Sequence, residues 1–441
     1  MKKTKGITLI ALIITVIILL ILVGVSVNLL IKGDLFGSAQ KAVNGTNAKV
    51  EEQQTAVDEL MGELDEVEKE IEEQQEELEK SNNLPGTRVT EPTEYKEGNK
   101  TAIIPAGFTV SKAEGETTID GGLVIYLIND KTEEEIKKLT WTGTELENLK
   151  KTYDQFVWIP ISHEQINNMF ICQAKTGSNG NCNITVENET AKCTVHNSTQ
   201  MAGRLYATSL GENYKKAYTE VYTANSGLRE PDVVTGKSTG DGTDYDGKPT
   251  YLGYMSAVTG DNTSYASTAK FKETLQNEYN EIVALIYNAK GYYVGRYETS
   301  NITTTKGTAI NVVAGTNFGI SNINWYYMYA QQKVYAENKS LGNKVKSSMI
   351  LGTCHDQMLE FVNVAGKYDV TKVGNALHNR SYSDGPWQTA GLDYTDKTQY
   401  KDLSKNIYDL EGNVFEWTTE AFSTRDRVYR GRRLHRQQYF C

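Results

Sequence analysis

Residues 354–356 read Cys-His-Asp, a thiol, an imidazole and a carboxylate side by side, the groups that a nucleophile, its base and an orienting acid would use. Their spacing argues against that chemistry, because neighbouring residues on a helix point apart and a triad is assembled from separated positions. A second run, "DGTDYDG" at 241–247, offers acids suited to calcium but lacks the spacing and terminal Glu of an EF-hand loop, so a solvated turn is expected. The five cysteines, Cys172, Cys182, Cys193, Cys354 and Cys441, show no CxxC pair of the zinc type. Cys172, Cys182 and Cys193 share one polar stretch, where a single bridge could form if the domain is exported. His163, His196, His355, His378 and His435 show no ligand spacing. The remaining candidate is "GNVFEW", Gly412 to Trp417. Gly412 permits a turn that a Cβ would hinder. Phe415 and Trp417 share one face of a short buried strand, and Glu416 shares the other with Val414. A carboxylate buried there needs a cation, and Arg296, Arg430 or a bound ion would serve.

The elements that must hold these residues follow from length and pattern. A chain of 441 residues exceeds what one core serves. Its modest apolar fraction (39%) and 27 tyrosines suggest a polar, tyrosine-rich globular part beside a solvated segment. A net charge of −10 argues against a nucleic-acid partner, since phosphate binding draws on clustered Lys and Arg. Residues 7–31 carry no charge over 25 positions, more than the ~20 a helix needs to span a bilayer. Lys2, Lys3 and Lys5 precede them in a basic leader (1–6), which sets the N-terminus in the cytoplasm and the rest outside a cell membrane crossed once.

Val50, Val57, Leu64, Ile71 and Leu78 then recur every seven residues, with Leu60 and Val67 between them, as a coiled-coil seam would require. Fourteen acids against two lysines at 51–80 leave self-association open and favour an acidic helical stalk over 45–80. Residues 81–100, with two prolines and no apolar period, read as a linker. Beyond it, β-prone runs ("AIIPAGFTVS", "GGLVIYLI", "DQFVWIPIS", "KGYYVGRYETS") alternate with two amphipathic stretches, which predicts an α+β domain over 101–441. In the first stretch Phe271, Leu275, Ile282 and Ile286 share a face; in the second, Cys354, Met358, Phe361 and Val362 do. Both are expected to be core-facing helices.

Two resemblances enter here. The opening "KGITLIALIITVIILLILVGVSVNLL" resembles type IV prepilin-like proteins, which implies cleavage between Gly6 and Ile7. Ala11 stands where pilins carry a glutamate used in assembly, so membrane anchoring survives the comparison better than incorporation into a pilus-like fibre. The order of "KGYYVGRYE", "SSMILGTCHDQMLEFV" and "YDLEGNVFEWTTEAFSTRDRVYRG" resembles the formylglycine-generating-enzyme-like (sulfatase-modifying-factor) superfamily, a variant of the C-type lectin fold. That resemblance implies calcium as the one cofactor, held by Asp409, Gly412, Val414 and Glu416. The cysteine pair and histidine cluster of the family's oxidases are not found, so a binding module rather than an enzyme is expected. Related display proteins of diversity-generating retroelements bind through this C-terminal segment, which implies ligand contacts at Thr418, Thr419, Phe422, Ser423, Thr424, Asp426 and Tyr429. The partners expected are an extracellular protein or glycan, membrane lipid around the N-terminal helix and a second stalk. The loop "HNRSYSDGPWQTAGLDYTD" has the composition of an antibody-like contact loop or of an ordinary polar one. The final "RGRRLHRQQYFC" does not continue the family pattern. Codons exist for residues 432–441 such that reading one base later gives a Gly-, Asn- and Ser-bearing continuation, so a frameshift is expected there and the coding DNA tests it.

Overall fold

The computed structural model describes residues 83–172, 180–181, 184–193, 201–203, 251–300, 310–314, 325–364, 403–408, 416–421 and 427–430, with five positions between 61 and 69. The chain divides into two compact units, Met1–Glu76 and Glu77–Cys441, and the architecture below belongs to the second. Gly6, Ile7, the apolar run 7–31, nearly all of the stalk, "DGTDYDG" and the last eleven residues lie outside the described residues. Among the described residues no helix is long and apolar enough to cross a membrane.

Strands and helices both occur, so the unit is α+β. Thr93–Glu97 (β1) and Lys100–Ile104 (β2) form an antiparallel hairpin. This corrects the expected linker over 81–100. Backbone bonds also tie Gly86 to Val110 and Val89 to Phe108, and Arg88 donates to the carbonyls of Ile128 and Lys131 while pairing with Glu133 at 3.1 Å. The prolines and polar residues that suggested a linker are an edge wrapped onto the core by main-chain bonds, which leave no periodic apolar signature.

Next come Thr109–Val110 (β3), Val124–Tyr126 (β4), the short helix Glu133–Lys137 (α1), Gly143–Thr152 (α2) and Gln155–Pro160 (β5). Helix His163–Met169 (α3) leads into Phe170–Cys172 (β6), Gly180–Asn181 (β7), Ile184–Glu187 (β8), Thr190–Cys193 (β9) and Met201–Gly203 (β10). Tyr251–Thr259 (α4) and the long helix Thr268–Ala289 (α5) precede Gly291–Gly295 (β11). The chain continues through Trp325–Lys333 (α6), Tyr335–Asn338 (α7), Gly352–Val364 (α8), Leu403–Ser404 (β12), Ile407–Tyr408 (β13), Glu416–Ala421 (β14) and Arg427–Arg430 (β15).

The central sheet is antiparallel in the order β11-β5-β4-β3, and period-two alternation buries it on both faces. Val124, Tyr126, Val157, Ile159 and Val294 face a core shared with Ile136, Leu149 and the α8 residues Met358, Leu359, Phe361 and Val362. Leu123, Ile125, Leu127 and Trp158 face the other way, against Ala102, Ile104 and Phe108. Tight pairing of β11 with β5 requires glycine at 291, where a Cβ would stand 2.2 Å from the Trp158 ring and 2.6 Å from the Ile159 carbonyl.

Helix α5 is capped at its start by the Ser267 hydroxyl, which accepts from the Lys270 amide, and ends where Lys290 turns left-handed (φ 55°). Of its expected stripe, Phe271, Leu275 and Ile286 are buried and Ile282 is partly so. The first half packs on α4 and α6 through Leu252, Met255, Trp325 and Tyr329, and the second on Ile166, Phe170, Ile184 and Ala191. The stripe Cys354, Met358, Phe361 and Val362 is buried as expected.

Candidate functional site

Among the described residues, the polar face of α5 borders a cleft. Thr274, Asn277, Glu278 and Glu281 recur at helical spacing beside the apolar stripe, so burying Phe271 and Leu275 turns these four outward. Across from them stand α6, α7 and the segment 342–348, and between lies a cleft of about 470 Å³. Its walls include Glu278, Glu281, Tyr329, Lys333, Lys346, Ser347 and Thr419 of β14.

Glu278 organises the floor. One carboxylate oxygen takes a hydrogen bond from the Tyr329 hydroxyl, and the other pairs with Lys333, whose ammonium also donates to the Tyr265 hydroxyl at 3.1 Å. Burial works against the Lys333 charge, yet Glu278 outweighs it and holds the ammonium pKa above its usual value. Burial pushes the neighbouring Tyr265 up to about 12. Lys346 pairs with Glu281 at the mouth, and there burial prevails and lowers its pKa. The cleft thus offers both signs of charge, hydroxyls and one aromatic wall. Such a lining suits a polar ligand that both donates and accepts hydrogen bonds.

Strand β14 connects this cleft to the core. Thr419 donates its backbone N–H to the Ile350 carbonyl at 3.1 Å. Thr418 is sealed inside, its carbonyl accepting from the Trp325 indole at 2.6 Å and its hydroxyl donating to Glu420 at 2.8 Å. Glu420 is itself fully buried and lies over the first residue of α8, where a Cβ on Gly352 would come within 1.9 Å of its Cδ. A carboxylate at this point faces the positive end of the helix dipole. No family model, characterised protein or solved structure matches this chain.

Of the expected ligand contacts, Thr419 reaches the cleft and Thr418 faces the interior. Tyr429 stands opposite Trp417 in the β14-β15 pair, while Phe422, Ser423, Thr424 and Asp426 lie outside the described residues. Of the calcium set, Asp409, Gly412 and Val414 lie outside as well, and Glu416 opens β14 opposite Arg430 in the register. Arg296, the other cation considered for Glu416, is engaged elsewhere. It pairs with buried Glu116 at 2.7 Å and donates to Tyr126 and Gln155 at 3.1 and 3.0 Å. Cys354, His355 and Asp356 are all buried on α8, and the Cys354 carbonyl accepts from the Tyr292 hydroxyl at 2.6 Å. Among the described residues no three His, Cys, Asp or Glu side chains form a metal-binding group.

Glu278, Lys333, Tyr329 and Lys346 were not singled out from the sequence. The signal for Glu278 was present as the polar stripe on α5, but the lysines come from segments 50 and more residues away, and only packing sets them against it.

Proposed function

We propose that the chain is a membrane-anchored binding protein displayed outside the cell, lifted on an acidic stalk, with the cleft between α5, α6 and α7 as its ligand site. The observation that carries the anchored part is the uncharged run 7–31 behind three lysines. Val67, a residue of the expected seam, is 52% exposed in the single chain and would be covered by pairing with a second stalk. The mixed charge and hydroxyls of the cleft favour a glycan or polar peptide as ligand, and the adjoining β14-β15 segment would extend the contact, with its sequence varied between copies by a retroelement. Calcium fits the donors at Asp409, Gly412, Val414 and Glu416, which are all hard oxygens; pairing with Arg430 across the ladder is the competing role for Glu416.

Fractionation with protease shaving of intact cells tests the placement. The chain should sediment with membranes and lose its C-terminal unit to external protease; recovery in the soluble fraction overturns the reading, and recovery in sheared filaments selects a pilus-like fibre. An array of immobilised glycans and peptides tests the site, and Lys333→Met should abolish whatever capture the wild type shows. Chelation should lower the melting temperature if calcium is held, and an unchanged melt assigns Glu416 to Arg430.

A further inference from the structure

Asp154, Asn311 and Lys339 come from three separate segments and meet at one point. Asp154 precedes β5, Asn311 sits in the stretch 310–314, and Lys339 follows α7. The Lys339 Nζ lies 2.7 Å from Asp154 Oδ2 and 2.8 Å from the side-chain amide oxygen of Asn311. The site is enclosed, with the side chains of Asp154 and Lys339 only 3% and 15% exposed. Asp154 is fixed further by the Tyr335 hydroxyl, which donates to Oδ2 at 2.7 Å, and by the Val312 amide, which donates to Oδ1 at 2.7 Å. The Tyr335 ring packs edge-on against Phe156, with centroids 5.6 Å apart. The backbone of Asn311 is held on both sides, donating to the Ser300 carbonyl at 3.0 Å and accepting from the Ser300 amide at 2.8 Å.

We propose that Lys339 and Asn311 become joined by an intramolecular amide cross-link, with Asp154 shuttling the protons. An amine, a carboxamide and a carboxyl group held in contact at a largely shielded point are the reactants and the general acid-base of a transamidation. Proton transfer from Nζ to Asp154 across their 2.7 Å contact frees the amine. The free amine attacks Cγ of Asn311, forming the new C–N bond. Asp154 gives its proton to Nδ2 as the Cγ–Nδ2 bond breaks, ammonia leaves, and the carboxylate takes the proton shed by Nζ. Atoms and charge balance, and no oxidant or other co-reactant takes part. The bond would close the covalent loop from 311 to 339, which contains α6 and therefore Tyr329 and Lys333 of the cleft.

Peptide mapping by tandem mass spectrometry of the full chain purified in detergent tests this. The expected result is a branched peptide joining the segments of Asn311 and Lys339, lighter by one ammonia than its two parts, with no tryptic cleavage after Lys339. Lys339→Arg keeps the charge and removes the nucleophile, and Asp154→Ala removes the shuttle; both should return linear peptides of unmodified mass. Separate linear peptides from folded wild-type chain overturn the proposal, as does an ammonia loss mapping to a succinimide on a linear Asn311 peptide. Persistence of the branch in Asp154→Ala overturns the role of Asp154. If circular dichroism shows Asp154→Ala unfolded, Lys339→Arg together with the wild-type map decides.

Discussion

Two clusters in this molecule use the same parts, a glutamate, a cation and tyrosine hydroxyls, and put them to opposite ends. Around Glu116 the cation is Arg296, its side chain 2% exposed, with Tyr126, Gln155 and Ser111 completing the hydrogen bonds and the rings of Tyr297 and Tyr408 at 5.5 and 5.6 Å from the guanidinium. Around Glu278 the cation is Lys333, 27% exposed, and the cluster forms the floor of a cleft. Sealing fixes the first as architecture. It joins the 111–116 turn, β4, β5 and the end of β11, and Tyr408 of β13 donates its amide to the Arg296 carbonyl. Openness leaves the second accessible, as the ligand site proposed for it requires. A planar guanidinium suits the crowded site, where several fixed acceptors must be met at once, and a flexible ammonium suits the open one.

The sharpest way to break this contrast is to remove Arg296. Arg296→Met strands the carboxylate of Glu116 in the core and should cost about 3–5 kcal/mol, measured by chemical denaturation. A loss below about 1 kcal/mol would make the two clusters equivalent surface pairs. Gly352→Ala forces a methyl group into Glu420 and should cost about 1–3 kcal/mol, with the loss relieved when Glu420 is also shortened.

Acid separates the two clusters next. Burial works against the Glu116 charge, but Arg296 and the hydrogen bonds to it hold the carboxyl below its usual range. A depressed carboxyl contributes stability that is complete above the unfolded value of about 4.3 and is lost as pH falls through the folded one. The stability gap between wild type and Glu116→Gln should therefore narrow on acidification below about pH 4. Lys333 has the opposite sign. Its raised pKa gives a contribution that is complete below the unfolded value of about 10.4 and disappears only as pH climbs through the folded value above that. The smallest stability effect is expected for Lys333→Met, under about 1 kcal/mol, because the pair is partly solvated. Its large effect should be on ligand capture.

How much of this was readable in the chain varies by element. The runs around Ile103, Ile125, Val157 and Tyr293 became strands, and the stripes on α5 and α8 became core faces, because both depend on short-range periodicity that any buried element must obey. Residues 83–100 were misread, since a segment bound to its neighbours by main-chain hydrogen bonds leaves no apolar period. Thr418 and Thr419 are adjacent in the sequence, yet the carbonyl of one accepts from the Trp325 indole and the other lines the cleft, within a stretch where the β14–β15 register shifts, an irregularity that no sequence pattern marks.

The sequence by itself determined the mixed α and β composition, the amphipathic helices, the uncharged N-terminal run and the acidic heptads, all properties of neighbours within a few turns. Tertiary structure alone decided that Arg296 pairs with Glu116, that Lys333 and Lys346 face the polar side of α5, and that Asp154, Asn311 and Lys339 meet at one point. The reason is range. Charges and hydrogen-bonding groups find partners by position in space, and partners separated by 28 to 185 residues acquire a position only when the sheet and helices have packed.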